Sequence, residues 1–271
     1  MKATVRILTH EFAPYLGGVA TYLGETARAL AEAGHPTEVW APDYGGSVAD
    51  AGPFAVRRVA MRGKQDWLCR LQMARALKQA FPGDRLPGTL ILGEAGPLRL
   101  WLYRKALRLP RPDRLVLVFH GSEVAALAHS GRRRLQLRSL LREAETIGVV
   151  SGEVERLVGA VLPEAMARCH RVPGAVRSTW LGLPPAPWPR PANPVEVVQV
   201  GRLHPRKGQA VLLDALARLP AGRLAGLRVR LIGPVSREAY ARQLEERIAR
   251  SRLPVRLEGA LPEASLREAY Q

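Results

Sequence analysis

The sequence predicts an α/β chain folded as two similarly built lobes, and three observations carry that expectation. Short apolar strands alternate with amphipathic helices along most of the 271 residues. A strand, a loop and a glycine opening a helix occur twice with the same eight-position spacing, from Thr9 to Gly17 and from Val200 to Gly208. Seven prolines fall between Pro173 and Pro194, and so proline-dense a segment resists helix and central strand alike. The expected organisation is a first lobe over 1–178, a proline-rich linker over 179–194 and a second lobe over 195–271.

In chain order, Val5 to Leu8 reads as a buried strand that enters the loop Thr9 to Gly18. The helix behind it places Val19, Tyr22, Leu23, Ala27 and Leu30 on one side and stops at Gly34. Gly17 and Gly18 lack a Cβ, so the backbone there can take positive φ and a ligand can approach its amides closely; a plain tight turn is the alternative. Strands follow at Thr37 to Ala41 and Ala55 to Ala60, then a helix over Gln65 to Ala80 with Trp67, Leu68, Leu71, Ala74 and Leu77 along one side. Its remaining faces carry Arg70, Arg75 and Lys78, which suits either a solvated surface or an anionic membrane.

Thr89 to Leu92 is the next strand, closed by Gly93 and Glu94, with a helix expected from Leu98 to Leu107. The apolar run Leu115 to Phe119 ends in His120, Gly121, Ser122 and Glu123. A histidine just past a buried strand faces the edge where ligands bind in parallel sheets, and it suits a hydrogen bond to a sugar hydroxyl or to backbone. Glu123 reads as a helix-start residue favoured by the dipole. Arg132, Arg133, Arg134, Arg138 and Arg142 then share a helix with Leu135, Leu137, Leu140 and Leu141. Ser151 is placed to cap the next helix, and no nucleophile motif surrounds it.

The second lobe opens with Val197, Val198 and Val200, then Gly201, a loop bearing Arg202, Arg206 and Lys207, and a helix behind Gly208. Cations beside a helix N-terminus at the end of a parallel strand suit an anion, and a diphosphate matches two of them. Strands at Leu227 to Ile232 and Val255 to Leu257 flank a helix over Glu238 to Arg250, and a last helix starts near Glu263.

Composition narrows the function classes. A hydrophobic content of 47% describes a globular chain, and Cys69 and Cys169 stand too far apart for a zinc motif or a disulfide framework. Neither a signal peptide nor a membrane span is visible, so a cytoplasmic setting is expected. The formal charge of +17 comes mostly from arginine, 36 against 5 lysines, and draws anions as a class. Specific nucleic-acid binding is not expected, because no recognition helix or aromatic-studded basic sheet accompanies the charge.

The segments PYLGGVATYLGETARALAEAGHPTEVWAP, FHGSE, SGEVERL, VGRLHPRKGQAVLLDAL, LIGP and LEGALP, in that order, resemble the family 4 retaining glycosyltransferases. The resemblance implies a GT-B architecture, two Rossmann-like lobes facing each other across a cleft. It implies transfer of a sugar from a nucleotide-diphosphate donor to a glycan, lipid or small-molecule acceptor with retention of configuration, and no metal or other cofactor. Gly17 and Gly18 would meet the donor phosphates, His120 the sugar, and Arg202 and Lys207 the diphosphate; Glu94, Glu123 and Gly201 are further candidate contacts. Relatives continue into a helix with two glutamates spaced E-x7-E, and the 77 residues from Val195 contain none of that part. The second lobe is therefore expected to be incomplete, which keeps an inactive nucleotide-binding remnant, and an epimerase of the same architecture, beside the transferase. The arginine faces add the expectation of a lipid-linked acceptor or a peripheral contact with an anionic membrane.

Overall fold

The structure is a computed structural model that describes residues 2–15, 17–45, 52–61, 66–176, 178–181 and 194–270. It divides into two compact units, Met1–Ala175 and Val176–Gln271.

The first unit alternates β1 (Val5–Leu8), α1 (Gly18–Glu32), β2 (Thr37–Pro42), β3 (Ala55–Val59), α2 (Trp67–Ala80), β4 (Arg85–Leu92), α3 (Ala95–Trp101), β5 (Arg111–Phe119), α4 (Ser122–Ala128), α5 (Gly131–Glu143), β6 (Thr146–Val149), α6 (Gly152–Val161) and β7 (Cys169–Arg171). The strands form one parallel sheet in the order β3-β2-β1-β4-β5-β6-β7. Val5 pairs with Thr37 on one side and with Thr89 on the other, so the strand order reverses at β1. Ligands of open parallel sheets bind outside the carboxyl ends of the strands at such a reversal.

Both sheet faces are buried, which explains the continuous apolar runs in place of a period of two. Ile7, Val39, Ile91 and Val118 pack on Leu23 and Ala27 of α1. Leu8, Trp40, Leu92 and Phe119 turn the other way, into the larger cluster that holds Met73, Leu98, Leu137 and Val158.

Several local expectations change. Helix α3 begins at Ala95, because the Glu94 carboxylate accepts from the Gly96 amide and caps it three residues before Leu98. Asp66 likewise caps α2 by accepting from the Cys69 amide. The buried side of α2 is Cys69, Met73, Ala74 and Leu77, whereas Trp67 and Leu68 at its first turn are exposed. Leu135 of α5 is also exposed, beside buried Leu137, Leu140 and Leu141. Ser151 Oγ accepts from the Val154 amide at 3.3 Å and caps α6.

The second unit contains α7 (Ser178–Leu181), β8 (Val195–Val200), α8 (Gln209–Ala217), α9 (Ala221–Ala225), β9 (Leu227–Ile232), α10 (Glu238–Arg250), β10 (Val255–Gly259) and α11 (Glu263–Ala269). Its strands are parallel in the order β10-β9-β8, over a core of Leu213, Leu216, Val229, Leu231, Tyr240 and Leu244. Residues 179–181, expected in the linker, are helical instead. That turn has no proline, and Trp180 Nε1 donates to Glu263 while its ring meets Tyr270 edge-on at 5.7 Å. Residues 182–193, which hold five of the seven prolines counted above, lie outside the described residues.

Candidate functional site

In the first unit the loops after β1, β4 and β5 meet at the reversal of the sheet. Glu94 ties two of them together. It is 2% exposed, and its oxygens accept from the His10 amide at 2.9 Å and the Gly96 amide at 2.8 Å. A Cβ at Gly96 would stand 2.3 Å from His10 Nδ1 and 2.8 Å from Glu94 Oε1, so only glycine admits this approach. Tyr44 adds a bond from its hydroxyl to the His10 carbonyl at 2.8 Å. Glu123 does for the third loop what Glu94 does for the first two. Buried at the start of α4, it accepts from the amides of His120 and Gly121, and Gly121 has φ +118. Both carboxyls therefore face inward onto backbone and shape the loops around His120.

His120 Nε2 lies 3.0 Å from the Gly93 carbonyl. A carbonyl only accepts, so Nε2 carries the proton, and Nδ1 is the nitrogen that accepts in the neutral ring or donates in the charged one. The Tyr22 ring meets the imidazole edge-on at 5.0 Å, while its hydroxyl donates to the Val172 carbonyl at 3.0 Å. Burial raises the Tyr22 hydroxyl above its ordinary value, so it remains a donor at neutral pH. Tyr22 registers in the sequence only as an apolar position of α1; its contact with His120 comes from the neighbouring strand order.

Neither loop glycine uses the positive φ open to it. Gly17 is extended, with φ −173, and caps α1; Gly18 is the first helical residue. A Cβ at Gly18 would meet nothing within 4 Å, whereas one at Gly17 would lie 3.1 Å from the Tyr15 ring. What the pair offers is a helix N-terminus, open at Gly18, with its amides and positive dipole.

Burial pushes the Glu94 carboxyl up to about 7, the Gly96 and His10 amides oppose the shift, and the charges of Glu11 and Glu123 add to it. An acid raised from 4.5 in the fold stabilises it fully below 4.5 and loses that contribution as pH rises through about 7. The loss amounts to about 3 kcal/mol. Glu94→Gln is expected to be less stable at acid pH by about 1–3 kcal/mol, since its NH2 would face a backbone donor. It should also show a flatter decline between pH 5 and pH 8. Urea midpoints of both proteins at the two pH values check this.

The second unit builds a cationic loop after β8. Gly208, with φ +75, lets a 3₁₀ turn at Pro205–Lys207 pass directly into α8. The Lys207 carbonyl accepts from Gln199 Nε2 at 2.8 Å, and the Arg202 carbonyl accepts from buried Gln209 Nε2 at 3.0 Å. The Lys207 stem lies over Gly201, 3.6 Å from where a Cβ would be. His204 shares this loop and is held below its ordinary value by desolvation and by the charges of Arg237, Arg206, Arg202 and Lys207. Four cations thus act on one imidazole, and Arg237 joins the set only through the fold. The Gly201 amide, a candidate ligand contact, donates to Ile232 at 2.8 Å and belongs to the sheet. Gly233, at φ +148, packs on the Gly201 carbonyl, where a Cβ would stand 2.2 Å away. At the α8 N-terminus the Ala210 amide donates to the Tyr240 hydroxyl at 3.1 Å, so that donor is already engaged.

A cavity of about 290 Å³ lies beside Arg104, Arg111, Arg114 and Glu143, at the amino end of β5, opposite the loops just described. Among the described residues no three His, Cys, Asp or Glu side chains assemble as metal ligands.

Residues 16–179 match the family described as Glycosyltransferase Family 4, more than half of the chain. The chain belongs to glycosyltransferase family 4. This glycosyltransferase therefore carries Gly17, Gly18, the loops after β4 and β5 and His120 inside the matched segment, most of the loop after β1 before it and the cationic loop after it. Its α/β fold, a seven-stranded parallel sheet with a second, smaller one, is that of GT-B enzymes. Among solved structures, Anabaena HepE in complex with UDP and glucose is similar at 17% identity and TM-score 0.63, covering 96% of this chain and 70% of that one. A glycosyltransferase from Rickettsia africae is similar at 16% identity and TM-score 0.66, over 97% and 69%. The catalytic domain of starch synthase IV from Arabidopsis thaliana, bound to ADP and acarbose, gives 14% identity and TM-score 0.65, over 100% and 76%. No curated protein matches the sequence.

Proposed function

We propose that this family 4 enzyme transfers a sugar from a nucleotide-diphosphate donor to a glycan or lipid-linked acceptor, with retention of configuration. The observation that carries the proposal is the loop after β8, where Arg202, Arg206 and Lys207 stand between the end of a parallel strand and the N-terminus of α8. Cations at that position suit a diphosphate, and HepE, of the same fold, has been solved with UDP-glucose.

In the reaction the bond from the anomeric carbon to the diphosphate oxygen breaks, and its electron pair leaves with the diphosphate. An acceptor oxygen bonds the same carbon from the departing face and gives up its proton to the leaving phosphate or to solvent. Arg202 and Lys207 would neutralise the charge that grows on the diphosphate, a role that needs no metal. Open amides at Gly17 and Gly18 would meet the phosphates, and His120 Nδ1 would bond a hydroxyl of the donor sugar. Glu94 and Glu123 serve by holding the loops. The setting belonging to this proposal is the cytoplasm, at the periphery of a membrane; no helix among the described residues is long and apolar enough to cross one.

The test is calorimetric titration of the purified chain with UDP and UDP-glucose, followed by nuclear magnetic resonance assignment of the product anomer. Binding of either nucleotide with retained configuration in the product is expected. His120→Ala should lower turnover by about 10²-fold or more, with a smaller change in donor affinity. Absence of binding to every nucleotide-diphosphate sugar tried would overturn the proposal, and binding without transfer would reduce it to a donor-binding protein.

A further inference from the structure

Away from the strand-end loops, helices α2, α3, α4 and α5 enclose a hollow of about 230 Å³. Arg70, Arg99 and Arg133 converge on it above Leu102 and Leu127, with Tyr103 at one side and no acidic residue in the lining. Elsewhere in this unit arginines stand beside carboxylates, as in Arg6 with Glu38, Arg104 with Glu143 and Arg171 with Glu155. Among the described residues Arg99 and Arg133 make no ion pair, and Arg70 Nε donates only to the Asp66 carbonyl. Three like charges around one hollow repel unless an anion enters it.

A second, independent observation concerns apolar exposure. Among its described residues the first unit leaves five large apolar side chains exposed, and four of them stand on or beside the same helices: Trp67 and Leu68 on α2, Tyr103 just after α3, and Leu135 on α5. Trp67 is 65% and Leu135 68% exposed. Aromatic and leucine side chains interleaved with arginine are the composition of a surface that enters the headgroup layer of a bilayer. A protein interface favours the opposite layout, with charge depleted at its centre.

We propose that this face seats on an anionic bilayer, with one lipid phosphate drawn between Arg70, Arg99 and Arg133 while Trp67, Leu68, Tyr103 and Leu135 enter the boundary below the headgroups. This gives the membrane contact proposed above a definite place and does not depend on the transfer chemistry. It also sets the carboxyl ends of the first sheet at a fixed height above the lipid.

The experiment is co-sedimentation of the full chain with vesicles of phosphatidylcholine alone or with about one third phosphatidylglycerol, at about 0.1 M salt. Binding to the anionic vesicles only is expected. Arg99→Ala with Arg133→Ala should lower the partition coefficient by about tenfold or more. Arg114→Ala with Arg156→Ala removes the same net charge from exposed positions outside the hollow, and it should leave partition within about twofold. Trp67→Ala should weaken binding with unchanged circular dichroism. Equal losses in the two double variants would overturn the proposal in favour of bulk charge, as would binding to polyglutamate without binding to vesicles. Nucleotide titration of the same proteins keeps failure here distinct from failure of the donor site.

Discussion

Replacing Arg202 and Lys207 together by alanine should weaken nucleotide-diphosphate binding by about 10²-fold or more. Each charge-assisted contact to a phosphate is worth about 1.5–3 kcal/mol, and the lower end applies because both side chains reach solvent. Calorimetric titration with UDP measures it directly. The loop should survive the change, since the two residues' carbonyls anchor it and alanine keeps both: Gln199 holds Lys207 and Gln209 holds Arg202. An unchanged thermal midpoint with lost affinity is therefore expected. Affinity unaltered in a folded double variant would remove the diphosphate from this loop.

The second large effect belongs to Gly96. Gly96→Ala would force a methyl to within 2.3 Å of His10 Nδ1, where His10 is fully buried and Glu94 nearly so. Neither neighbour has room to retreat, so the amide bonds from His10 and Gly96 to Glu94 must loosen together. A loss of about 2–4 kcal/mol is expected, read as a lower urea midpoint. Gly18→Ala provides the contrast, because open space surrounds Gly18 and its helical backbone tolerates a methyl; its stability should change by less than about 1 kcal/mol.

The sequence carried most of the fold because its signals were local. Apolar runs such as Leu115 to Phe119 and the repeated strand, loop and glycine locate the strands, and a parallel sheet buried on both faces leaves few other arrangements. Helix starts were less visible: Glu94 reads as a loop acid until its carboxylate is seen on the Gly96 amide. Faces were misjudged where a helix begins. Trp67 and Leu68 fit the apolar period of α2 yet lie in its first turn, beyond the edge of the core.

For the site, the residue types were legible and their partners were not. His120, Arg202 and Lys207 stand at strand ends by sequence position alone. The ring of Tyr22 against His120, the hydroxyl of Tyr240 on the Ala210 amide and the approach of Arg237 to His204 join residues 30 to 100 positions apart. Only the strand order and helix packing bring them together. Gly17 and Gly18 supply the absence of a side chain at a helix start, and neither adopts left-handed backbone.

The reversal of strand order at β1 has a consequence for the chain during its own synthesis. Val5 pairs with Thr89, so the central strand leaves the ribosome ahead of its second neighbour, which follows 84 residues later. At a translation rate of ~5–20 residues per second, one edge of that strand waits roughly 4–17 s for its partner. Ile7 can be covered early by Leu23 and Ala27 of α1, whereas Leu8 lacks Leu92, Leu98 and Phe119 of its own cluster through that interval. An unpaired apolar strand edge thus stands open during synthesis, and shielding of Val5–Leu8 until β4 emerges favours the native sheet.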